Sequence, residues 1–188
     1  MFEPLIATFL LVFVAEIADK SQLVILSLVL KYKSPLKIFL IGFSAQVLMD
    51  AIAILAGSFL GTFLSSSLIK IPIAVLFILL GTWLIAQPYL SKNKKEDKKI
   101  STNLPIAASF LTVFLSEFGD KTQITSGLLA AKYNSPFLVF IGLVLALAVV
   151  IAVYVSIGTK LAEKIPRKVI NWVTAILFIL FGLFSLLS

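Results

Sequence analysis

The chain contains neither cysteine nor histidine. That removes disulfides, thiolate chemistry, imidazole metal ligands and histidine proton relays together. Charge is scarce too, with 13% of the 188 residues acidic or basic, against about 25% in an average soluble domain. Apolar residues make up 60% of the chain and run in long stretches. A single soluble core does not use such a composition. Stretches of about 20 apolar residues are what it takes to cross a hydrocarbon layer roughly 30 Å thick, so the expected class is an all-α integral membrane protein embedded in a lipid bilayer. Whatever chemistry remains must use oxygen ligands and lysine. Nine acids against sixteen bases give a net charge of +7. This excess lies in short loops between apolar segments, so it reads as a determinant of membrane orientation and not of nucleic-acid binding.

Six apolar segments follow one another at about 4–30, 38–62, 71–90, 104–131, 136–159 and 168–187, and six transmembrane helices are expected from them. Between the third and fourth lies S-K-N-K-K-E-D-K-K-I-S-T, Ser91 to Thr102, the only long hydrophilic stretch. The expected organisation is a first three-helix unit over 1–90, a basic linker over 91–103 and a second three-helix unit over 104–188. The first segment has no basic n-region, carries Glu16, Asp19 and Lys20 within it and lacks a clear small-residue cleavage site, so it is expected to stay in the mature protein. Twelve basic residues fall in loops one, three and five, whereas only Lys70 and Lys132 fall on the other side. That asymmetry predicts a multi-pass protein of the cell (inner) membrane with the central basic loop cytoplasmic and both termini outside. Tyr32, Tyr89, Tyr133 and Trp172 fall near segment ends, where amphipathic rings anchor at the interface.

Setting residues 16–35 over 117–136 aligns E-I-A-D-K-S-Q with E-F-G-D-K-T-Q and K-Y-K-S-P with K-Y-N-S-P, nine identities in twenty positions at an offset of 101. The same offset places L-F-I-L-L-G, Leu76 to Gly81, over L-F-I-L-F-G, Leu177 to Gly182. The chain reads as a duplication of three helices. An odd number of spans per unit makes the two copies enter the membrane from opposite sides, so the repeats are expected to be inverted. That construction is used by many secondary transporters, with the site near the midplane where the halves meet.

Glu16 lies about twelve residues into the first segment, which puts it roughly 18 Å deep if that segment is a helix, and Glu117 is placed alike in the fourth. Helical spacing would then project Glu16, Asp19 and Lys20 from one face, and Glu117, Asp120 and Lys121 from another. Ser21, Gln22, Thr122 and Gln123 add neutral oxygens one turn on. Asp50, with Gln46 four residues earlier, is a further acid whose counterparts near Ala146 to Ile151 are apolar. An extra ligand, a proton carrier and a partner for Lys20 or Lys121 are all open roles for it. Each charge at the membrane centre costs about 3 kcal/mol on insertion scales. Pairing both lysines still leaves three carboxylates, whose charge a divalent cation or protons would remove.

Carboxylate, amide and hydroxyl oxygens suit hard ions such as calcium, magnesium and manganese, and disfavour copper and zinc. Buried, mutually repelling carboxylates bind protons as well as cations, which is what an exchanger requires. Moving two positive charges outward against 100 mV costs about 4.6 kcal/mol, and returning protons offset it. Gly57, Gly61, Gly81, Gly142, Gly158 and Gly182 read as close helix contacts, and Gly119 as a residue that loosens the helix at the second motif.

Two copies of E-x-G-D-[KR]-[ST] in a six-segment chain with a charged central loop resemble the family of MneA-type manganese exporters and Golgi cation/proton exchangers. The second copy, Glu117 to Thr122, matches throughout, and the first has Ala18 in place of the glycine. The resemblance implies that Glu16, Asp19, Glu117 and Asp120 line the cation path, that manganese or calcium is the cargo and that protons are the counter-ion. Its bare six-helix size is similar to that of bacterial plasma-membrane exporters.

The expected activity is export of manganese from the cytoplasm in exchange for protons, with no permanently bound cofactor and no enzymatic reaction. Glu16, Asp19, Glu117 and Asp120 are the expected ligands. Ser21, Gln22, Thr122, Gln123, Gln46 and Asp50 are expected in support, with Lys20 and Lys121 balancing charge. Alternatives of other kinds are a calcium/proton antiporter, an exporter of a small organic cation or amino acid, and a non-transporting membrane scaffold. A single chain and a homodimer are equally compatible with the sequence.

Overall fold

Helix boundaries in this chain are written by Pro and by Asp. A computed structural model describes residues 2–17, 19–63, 66–90, 106–157 and 167–187. Among them are eight α-helices and no strand: α1 Glu3–Glu16, α2 Lys20–Tyr32, α3 Pro35–Phe63, α4 Ser66–Leu90, α5 Ile106–Ser116, α6 Lys121–Tyr133, α7 Pro136–Ile157 and α8 Arg167–Leu187. Pro35 and Pro136 occupy first helical positions, where a missing N–H costs nothing. Just before them, Lys33 and Asn134 take left-handed conformations (φ 50° and 46°) that stop α2 and α6. The basic linker expected over 91–103 and the loop carrying Lys160 and Lys164 lie outside the described residues.

The first and fourth apolar segments, each expected to span as one of six helices, are each two helices in series. Asp19 and Asp120 are extended (φ −74°, ψ 159° and φ −71°, ψ 161°), and their carboxylates cap the main-chain N–H of Ser21 and Thr122. A short acidic side chain followed by Lys-Ser or Lys-Thr favours a helix start over a helix interior. In the second copy Gly119 completes the break at φ 74°. Ala18, its counterpart, lies outside the described residues.

The other four helices are mostly apolar, with Lys37, Gln46 and Asp50 among the polar exceptions along α3. Among the described residues, the stretches Pro35–Thr62 and Pro136–Ser156 are long and apolar enough to cross a bilayer, and Ile71–Ala86 and Trp172–Leu186 are shorter runs of the same kind. Large apolar side chains face outward along α3, at Leu36, Leu40, Leu48, Ile52, Leu55 and Phe59, whereas Gln46 and Asp50 face inward. Water does not favour that polarity and lipid does.

Small residues let the helices meet backbone to backbone. A Cβ on Gly57 would lie 2.0 Å from the carbonyl oxygen of Gly127, and one on Gly61 2.8 Å from that of Ala131, so α3 and α6 run side by side in the same direction. Gly142 of α7 approaches Leu5 and Thr8 of α1 in the same manner. Helices α4 and α8 cross antiparallel: Gly81 meets Ala175 and Ile179, and Gly182 meets Ala74 and Ile78. These two contacts are copies of each other at the repeat offset of 101. Phe77 and Phe178, also 101 apart, pack edge to face on one another at 5.7 Å. Gly158 lies outside the described residues.

Candidate functional site

Helix α1 ends at Glu16 and α5 ends just before Glu117, so both breaks deliver a glutamate and a capping aspartate to the same interior point. Carboxylate oxygens of Glu16, Glu117 and Asp120 lie within 4.8 Å of one another. Glu16 is fully buried and Glu117 is 4% exposed. Breaking a helix also frees polar main-chain groups, and these are turned to use: the N–H of Asp19 returns to Glu16 O at 3.1 Å and that of Asp120 to Glu117 O at 3.0 Å.

Three contacts around this cluster cross between the two halves of the chain: Thr122 to Glu16, Gln46 to Glu117 and Lys121 to Asp19. Thr122 Oγ1 donates to Glu16 Oε1, and Gln22 Nε2 donates to Glu16 Oε2 at 2.8 Å. Gln46 Nε2 on α3 donates to Glu117 Oε1 at 2.7 Å and to Ser21 Oγ at 3.0 Å. Lys121 Nζ sits 2.5 Å from Asp19 Oδ1. With both amide nitrogens committed to these partners, Gln22 Oε1 and Gln46 Oε1 point elsewhere, buried and without hydrogen-bond partners among the described residues. A buried amide oxygen in that state is a standing acceptor.

Of the four expected ligands, three thus converge and Asp19 is turned to Lys121. Asp19 and Asp120 do not share a helical face with their glutamates, because the helix ends between them. Ser21 Oγ contacts Asp19 Oδ2 at 3.2 Å, and Gln123 Oε1 accepts from Gly119 N at 2.7 Å, fastening the second break. Asp50 is buried on α3, and its Oδ1 lies 3.1 Å from Ser126 Oγ. Lys121 is therefore not its partner. The side chain of Lys20 lies outside the described residues.

The sequence pattern did not single out Ser126, Tyr154 or Thr174. Tyr154 donates its hydroxyl to Ile17 O at the first break, and Thr174 Oγ1 donates to Val14 O at 3.3 Å, so α7 and α8 supply donors that the end of α1 lacks. A lone tyrosine inside the apolar run of α7 was the available signal.

Broken helices that bring buried carboxylates together inside an apolar helical protein define a membrane protein with an acidic interior. The profile of the divalent cation/proton antiporter GDT1 family matches residues 4–92 and 105–188, and the chain belongs to that family. It is 35% identical over 170 residues to a Vibrio cholerae protein named "Putative manganese exporter", covering 90% of this chain and 83% of that one. A GDT1-like protein of Synechocystis is 28% identical over 198 residues, covering 95% and 94%. A shorter match, 42% over 80 residues, joins 43% of this chain to 34% of GDT1-like protein 5 of Oryza sativa. No solved structure matches the chain. The protein is a cation transporter of the membrane, not an enzyme.

Proposed function

We propose that the protein exports a divalent cation, manganese before calcium, from the cytoplasm in exchange for protons, and that Glu16, Glu117 and Asp120 bind the ion with Asp19 joining them in the cycle. The observation that carries this reading is the meeting of carboxylates from both halves of the chain within 4.8 Å, in a protein of apolar helices. Gln22 Oε1 and Gln46 Oε1 supply neutral oxygens beside them. Such a set is all oxygen, mixes charged with amide donors and suits a hard cation. Preference for manganese rests on the name of the Vibrio cholerae relative.

Exchange follows from electrostatics. Three carboxylates so close repel one another when all are ionised, and either a divalent ion or protons relieves that repulsion. Lys121 balances Asp19 in the arrangement seen, and release of that pair would free Asp19 for the ion. Reciprocal contacts of α4 with α8, and the pairing of Glu16 with Glu117 and Phe77 with Phe178, each 101 residues apart, support a two-fold relation between halves. In a bilayer this corresponds to two inverted three-span repeats rocking about a midplane site. With the basic linker in the cytoplasm, both termini face outward.

The test is flux into liposomes holding the purified protein and an internal pH dye, with manganese, calcium and magnesium compared side by side. Manganese movement coupled to opposite proton movement, and lost in both Glu16→Gln and Glu117→Gln, is expected. Flux unaffected by these substitutions would remove the cluster from the mechanism.

A further inference from the structure

Asp50 is a buried carboxyl, 3% exposed, that has no copy in the other half of the chain. One repeat offset from Asp50 lies Ile151, and one offset from its contact Ser126 lies Ile25, both fully buried. An acid and a hydroxyl thus stand in one place where the matching stretches of the other half, Ala146 to Ile151 and around Ile25, are apolar.

The hydroxyl of Ser126 lies 3.1 Å from Asp50 Oδ1 and 3.1 Å from the main-chain carbonyl oxygen of Gln123. A serine hydroxyl has one proton to donate, and a carbonyl has none. Both contacts are hydrogen bonds only when the carboxyl supplies the second proton, Asp50 donating to Ser126 Oγ and Ser126 donating to Gln123 O. With Asp50 ionised, Ser126 donates to the carboxylate instead and Gln123 O keeps its main-chain partner in α6, so the one hydroxyl serves the acid in both states. Among the described residues, the side chains that act on Asp50 by charge, Glu16 at the end of α1 and Asp120 before α6, are both acids. Helix α7 contains no Asp, Glu, Lys or Arg. On α6, Lys121 is paired with Asp19, and Lys132 lies over the rings of Tyr133 and Phe181.

We propose that Asp50 is a dedicated proton site, carrying one proton per cycle while the metal ion stays on the carboxylates of the two motifs. The proposal rests on the exchange reading given above. On the outward-facing side the carboxylate takes up a proton from water; on the cytoplasmic side the O–H bond breaks and the proton leaves to water. One positive charge moves inward as the cation moves outward. Ser126 lies on the helix that Asp120 caps, so the protonation state of Asp50 acts directly on the element that positions motif two.

The experiment measures, in liposomes, the imposed pH gradient at which net manganese flux reverses, which gives protons exchanged per ion. In Asp50→Asn the amide donates to Ser126 as the protonated acid does and never ionises. The expected result is a ratio lower by one proton, with manganese still protecting the variant against thermal unfolding. In Ser126→Ala the ratio is unchanged, and the pH midpoint of transport moves up by up to about one unit, because the ionised acid loses its charge-assisted donor. An unchanged ratio in Asp50→Asn, loss of manganese protection in that variant, or an unmoved midpoint in Ser126→Ala would each overturn the proposal. A wild-type protein that moves manganese without protons would instead overturn the exchange reading itself.

Discussion

Lys121 Nζ lies 2.5 Å from Asp19 Oδ1, so the cation of the second motif neutralises the acid of the first across 102 residues of chain. Both side chains are largely buried, at 9% and 12% exposure. Removing one member of such a pair strands the other in an apolar interior. Lys121→Met is therefore expected to destabilise the protein by about 3–5 kcal/mol. Adding Asp19→Asn should recover much of that loss, and thermal unfolding of the single and double variants in detergent measures the coupling.

The aspartates of the motifs have two separable jobs. As helix caps they need only a side-chain oxygen, which asparagine also supplies. As ligands they need charge. Asp120→Asn is expected to unfold within a few degrees of wild type without added metal, yet to lose the stabilisation that manganese confers. Asp120→Ala should lose that and also about 1 kcal/mol of cap energy. Unfolding curves with and without manganese separate the effects.

Two glycines make opposite demands. A side chain at Gly57 would meet the Gly127 carbonyl oxygen at 2.0 Å, so Gly57→Ala must push α3 away from α6. About 1–3 kcal/mol of destabilisation is expected, with loss of transport. Gly119 has open space around its missing Cβ but a φ of 74°. Gly119→Ala should cost about 1–2 kcal/mol through backbone strain alone. Melting temperatures rank the two, and relief of the Gly57 defect by a neighbouring small residue is not expected.

Manganese should protect the folded protein in proportion to its binding. At a hundredfold excess over the dissociation constant the gain is about 2.7 kcal/mol. Carboxylate ligands must shed protons to bind, so this protection should shrink as pH falls. Differential scanning at several pH values, with manganese added or chelated, checks the sign.

The duplicated motif and its offset of 101 were open to reading in the sequence, because charges inside apolar segments are costly and stand out. The breaks at Asp19 and Asp120 were not read. Apolar periodicity runs through both breaks, and the local signal, an acid before Lys-Ser or Lys-Thr, is the ordinary mark of a helix start. The first and fourth segments, longer than a span requires, carried a second hint. Gln46 reached the site by its place beside Asp50, but its bond to Glu117 depends on how α3 lies against the second half. Tyr154 and Thr174 act through main-chain carbonyls that exist as free acceptors only once the helix is broken.

Titration of the purified protein with manganese, followed by the paramagnetic signal of the free ion, tests most directly whether both halves build one site. A single ion bound per chain is expected, lost on either Glu16→Gln or Glu117→Gln alone. Two ions per chain, or one ion retained after neutralising one glutamate, would mean that each half binds on its own and that the shared site does not exist.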